Sequence, residues 1–131
     1  MKRLPLMIVM LGALALSGSV LPSVGKAGAP HRETALVEFP DQVKLLGVFL
    51  KGQYLIVHDH DKMARGEDCT YVYSQKAGQP DKLVVSFHCI AVARKTADHF
   101  TVVAVPLSGS NGLREVREIQ FAGSDEGHQV P

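Results

Sequence analysis

From Thr34 onward, short apolar runs alternate with turn residues, and none is long enough to make an extended helix. Seven candidate strands follow: 34–39, 43–50, 53–58, 69–74, 82–90, 99–107 and 113–121. They are separated by Phe39-Pro40-Asp41, Lys51-Gly52, a turn containing Gly78 and Pro80, Thr96-Ala97-Asp98, and a loop ending in Asn111-Gly112. Segment 53–58 is apolar on both faces, as expected of a central strand. Between Asp61, an N-cap residue, and Gly66, a helix stop, the spacing predicts one helical turn. The pattern predicts an all-β fold. It would be a small single-domain β-sandwich or partly open barrel of about seven short antiparallel strands, occupying residues 34–122.

Lys2 and Arg3 precede an apolar run from Leu4 to Val20, and Gly25-Lys26-Ala27 offers small residues where a signal peptidase reads. Residues 1–27 are therefore expected to be a signal peptide. The protein would then be secreted or periplasmic, with no membrane span after cleavage. Residues 28–33 read as a flexible leader and 123–131 as a frayed polar tail. Losing Lys2, Arg3 and Lys26 leaves eleven basic side chains against thirteen acidic ones. No basic cluster remains that would favour nucleic acid.

Cys69 and Cys89 are the only cysteines. In an oxidising compartment a lone pair is most simply a disulfide. If 69–74 and 82–90 form a hairpin centred on Gln79, Cys69 opposes Cys89, Tyr71 opposes Phe87 and Tyr73 opposes Val85, all on one apolar face. Such a staple would contribute about 3 kcal/mol.

His58-Asp59-His60-Asp61 is the one cluster that invites chemistry. On a continuing strand, His58 and His60 share a face and could chelate a metal, with His88 or His99 as a further ligand. Zinc or copper is the alternative to an expectation of no cofactor. The bland account is a solvated strand end whose Asp61 caps the helical turn. An EF-hand fails, because Met63 and Ala64 stand where a ligand and the turn glycine belong. No G-x-S-x-G or phosphate-cradling glycine loop occurs.

Two resemblances bear on these residues. Gly52, five residues, then His58-x-His60 is similar to the opening of the first cupin motif. The third ligand is missing, since the next Glu is Glu67, and no second motif follows. The segments 46–54, 63–71 (Met-Ala-Arg-Gly-Glu-Asp-Cys-Thr-Tyr) and Ser86-Phe87-His88-Cys89 resemble an uncharacterised group of small secreted bacterial β-rich proteins. That resemblance implies export and a β fold, and no activity. The sequence favours a non-catalytic envelope module, binding or structural, whose partner would be an envelope protein or a small ligand. The alternative is a periplasmic metal-binding protein, or a cupin-like metalloenzyme, using His58 and His60.

Overall fold

The computed structural model describes residues 31–131, so the expected signal peptide and residues 28–30 of the leader lie outside the described residues. Eight strands and one helical turn follow in the order β1 (Arg32–Leu45), β2 (Val48–Asp59), α1 (His60–Ala64), β3 (Thr70–Ser74), β4 (Lys82–Phe87), β5 (Ile90–Ala93), β6 (Thr101–Pro106), β7 (Arg114–Gln120) and β8 (Glu126–Gln129). They form one sheet, ordered β4-β3-β2-β1-β7-β8-β5, with β6 paired to β7. The sheet curls into an open half-barrel, the all-β fold that the turn pattern predicts. Among the described residues, no helix is long and apolar enough to cross a membrane.

Elements match the sequence pattern where turn chemistry is explicit. The β6–β7 hairpin turns through Gly109, Asn111 and Gly112, all at positive φ, which Asn and Gly tolerate. Elsewhere tertiary pairing overrides local signals. Pro40 does not end a strand: β1 runs on to Leu45, and its register against β2 shifts between Phe39 and Val43. This is a bulge, a place where a strand accommodates proline. The turn falls instead at Leu46-Gly47, with φ of 47° and 78°. Lys51-Gly52 lies inside β2, with Gly52 opposite Phe39. The leader expectation also fails at Arg32 and Glu33, which pair with Asp59 and His58.

The disulfide hairpin is corrected in register. Thr70 pairs with Phe87, Tyr71 with Ser86 and Val72 with Val85, one residue away from the expected alignment. A one-residue slip exchanges the faces of a strand. Thr70 and Val72 are accordingly buried, while Tyr71 and Tyr73 are only half-buried. Segment 82–90 also divides. β4 stops at Phe87, His88 and Cys89 form a link, and β5 begins at Ile90 on the opposite end of the sheet. Three residue steps span at most ~11 Å, so the curl must bring the two ends of the sheet close together at Cys89.

The core inside the curl is built from Phe39, Leu45, Leu50, Tyr54, Ile56, Val72, Phe87, Val116, Ile119 and Phe121, together with both cysteines. It ends in a polar pocket at the Cys89 end, where two imidazoles replace apolar side chains.

Candidate metal centre

His58, Cys89 and His128 converge there from three elements. His58 is the penultimate residue of β2, Cys89 sits on the β4–β5 link, and His128 lies in β8. All three are buried, with 0%, 2% and 0% exposure, and their donor atoms lie within 4.8 Å of one another. Cys89 Sγ is 3.4 Å from His58 Nε2 and 3.4 Å from His128 Nδ1. The two rings lie 3.9 Å apart at 31°, with Phe121 packed against both. Met63 Sδ, on α1, is 3.7 Å from Cys89 Sγ.

The polar accounting around this pocket is incomplete. His58 Nδ1, His128 Nε2 and the neighbouring Glu126 Oε1 are buried without hydrogen-bond partners. An unpaired buried polar group costs about 1–3 kcal/mol, so such atoms call for an explanation. Burial, reinforced by the neighbouring imidazoles His128 and His60, pushes His58 down to about 3. Burial and then His60 push His128 down to about 4. Burial, helped by Cys69, pushes the Cys89 thiol up to about 12. Neutral imidazoles are ready metal ligands, and a bound cation would displace the thiol proton.

A second group stands directly behind the first. Glu33, paired across from His58 in β1, places Oε1 2.7 Å from His60 Nε2 and 4.0 Å from His58 Nδ1. β2 ends at Asp59, so His60 belongs to α1; its ring nevertheless meets that of His58 edge-on at 4.5 Å. Asp59, not Asp61, caps α1, its Oδ1 accepting from the Lys62 amide at 3.1 Å. Glu33 and Phe121 also line a cleft of about 240 Å³, so solvent reaches the residues packed around the centre.

The structure thus brings His58 and His60 together but leaves His88 and His99 apart. His88 is exposed, with Nδ1 2.9 Å from the Glu67 carbonyl oxygen, and His99 is exposed in the β5–β6 loop. The Cys69–Cys89 disulfide is not formed: the sulfurs lie 3.1 Å apart as thiols. Cys69 precedes β3 and Cys89 follows β4, so they are not opposed ladder residues. The Cys69 amide donates to the Phe87 carbonyl, and Cys69 Sγ accepts from the Cys89 amide at 3.4 Å.

His128 was not among the residues the sequence singled out. The expected frayed tail instead contains β8, clamped between β5 and β7 through His128 opposite Ala91 and Ile119. Arg94 secures this corner with a two-pronged contact to Glu118, at 3.0 and 2.7 Å, and holds that carboxyl below its ordinary range. Gly127 makes room for the pair: a Cβ there would meet Glu118 Oε2 at 2.8 Å and Arg94 Cγ at 3.1 Å. Gly127→Ala should therefore push the Glu118 carboxylate aside and loosen the ion pair beside His128, a cost of about 1 kcal/mol or less for a partly exposed pair. Urea unfolding of both proteins would check this, and an unchanged midpoint would contradict it.

Two buried imidazoles and a buried thiol are the donor chemistry of a soft transition-metal centre. No protein family, curated protein or solved structure matches this chain.

Proposed function

We propose that this protein is a small metal-binding β domain whose ion is held by His58 Nε2, His128 Nδ1 and Cys89 Sγ. The observation that carries the reading is the spacing of these donors. On one tetrahedral ion, a thiolate sulfur and an imidazole nitrogen with bonds of about 2.3 and 2.0–2.1 Å lie ~3.5 Å apart. Both sulfur–nitrogen distances at Cys89 are 3.4 Å. Both sulfur–nitrogen edges are therefore already at ligand spacing, and taking an ion requires the two imidazoles, stacked at 3.9 Å, to spread apart. Glu33 Oε1, hydrogen-bonded to His60 at 2.7 Å, stands 4.0 Å from the unpartnered His58 Nδ1, where a small shift on metal binding would make it the carboxylate partner of a ligating imidazole. The expected signal peptide at 1–27 would put this domain outside the cytoplasm, as a metal-binding envelope protein.

Calorimetric titration of the reduced protein with zinc tests the reading. Binding should be one to one, and Cys89→Ser or His128→Ala should weaken it at least 100-fold. His88→Ala and His99→Ala should leave it unchanged. Absence of binding, or binding indifferent to Cys89 and His128, would overturn the proposal.

A further inference from the structure

The structure offers two sulfurs, Cys69 and Met63, as the fourth ligand, and their distances separate them. A thiolate ~2.3 Å from a tetrahedral ion and a weaker, longer thioether bond put the two sulfurs ~4 Å or more apart. Met63 Sδ, 3.7 Å from Cys89 Sγ, lies near that edge and would draw back slightly on ligation. Cys69 Sγ, at 3.1 Å, is too close to share the ion and already accepts the Cys89 amide. Met63 is also held in position. Its helical turn is capped by Asp59, and the adjacent Lys62 donates to the Tyr71 hydroxyl at 2.9 Å.

We infer that the resident ion is copper, bound by His58, His128 and Cys89 with Met63 Sδ as a weaker fourth ligand, and that it serves one-electron transfer. This rests on the metal-binding reading above and adds the identity of the ion. A thioether is a soft donor suited to Cu(I), and copper also heads the affinity order of first-row divalent ions. Two histidines and one thiolate, with a methionine on the axis, form the ligand set of copper electron-transfer centres. Such a set serves both Cu(I) and Cu(II) without losing a ligand, so the step is Cu(II) plus one electron giving Cu(I). In the test the electron comes from ascorbate and is taken back by ferricyanide.

The experiment compares cobalt(II) and copper(II) titrations of the reduced full protein, read by visible absorption and electron paramagnetic resonance. Copper(II) should give one equivalent of an intense thiolate-to-copper charge-transfer band, bleached by ascorbate and restored by ferricyanide. Cys69→Ser should retain the band and Cys89→Ser should abolish it. Met63→Leu, which conserves volume, should keep the band and raise the reduction potential. If cobalt(II) binds stoichiometrically while copper(II) gives no such band, or oxidises Cys69 and Cys89 instead, the copper assignment falls and the metal-binding reading stands. If neither ion binds, both fall. A potential unmoved by Met63→Leu removes Met63 from the ligand set.

Discussion

Zinc at a free concentration 100-fold above its dissociation constant should raise the unfolding temperature of this domain by about 10–20 °C. An ion that binds only the folded chain stabilises it by RT ln(1 + [L]/Kd), about 2.7 kcal/mol at that ratio. For a domain of this size each kcal/mol moves the midpoint by roughly 4–8 °C. The ion would also satisfy a pocket in which β2, the β4–β5 link and β8 meet, tying together the two ends of the curled sheet. Cys89→Ser should lose nearly all of the shift, because the thiolate is the anionic ligand. His88→Ala should keep it, since His88 faces solvent. Thermal scans with and without chelator would decide this. A zinc-induced shift undiminished in Cys89→Ser would place the ion elsewhere.

Acid should destabilise the metal-free protein well above the pH at which carboxylates titrate. His58 and His128 are pushed down to about 3 and 4 in the folded state, chiefly by burial. In the unfolded chain both return to ~6.5. Between about pH 6.5 and the folded values, the unfolded chain binds more protons, so stability rises with pH. The stabilising contribution is complete above about pH 6.5 and is lost progressively on acidification. At pH 5 the loss is on the order of 2 kcal/mol per histidine, a large part of the 5–15 kcal/mol typical of a domain. Urea titrations in chelator at pH 7 and pH 5 should differ accordingly, and His128→Asn should halve the difference. Equal midpoints at the two pH values would contradict the burial argument.

The sequence exposed most of the ladder and little of the centre, for identifiable reasons. Asn111-Gly112 specified the β6–β7 hairpin because its positive φ values are a local requirement. Pro40 misled because a bulge absorbs it, a property of the β1–β2 pairing and not of the residue. Tyr71 and Tyr73 read as core, yet the one-residue register slip gives that face to Thr70 and Val72. β8 was illegible: Glu126-Gly127-His128-Gln129 has no apolar alternation, and only β5 and β7 on either side make it a strand. That concealed His128. Cys89 was hidden differently, since a cysteine pair suggests a disulfide before it suggests a ligand. The three donors are separated by 31 and 39 residues, so only the curl of the sheet unites them. His58 alone was within reach of sequence reasoning, through the His-x-His spacing, although its imidazole partner on Cys89 is His128 and not His60.

Anomalous diffraction from crystals grown with one equivalent of zinc would locate the ion. A single peak should lie about 2.0–2.1 Å from His58 Nε2 and His128 Nδ1 and about 2.3 Å from Cys89 Sγ, with Cys69 unbonded to the ion. A peak between Glu33 and His60, or a Cys69–Cys89 disulfide with no ion beside it, would rule out the His58–Cys89–His128 centre.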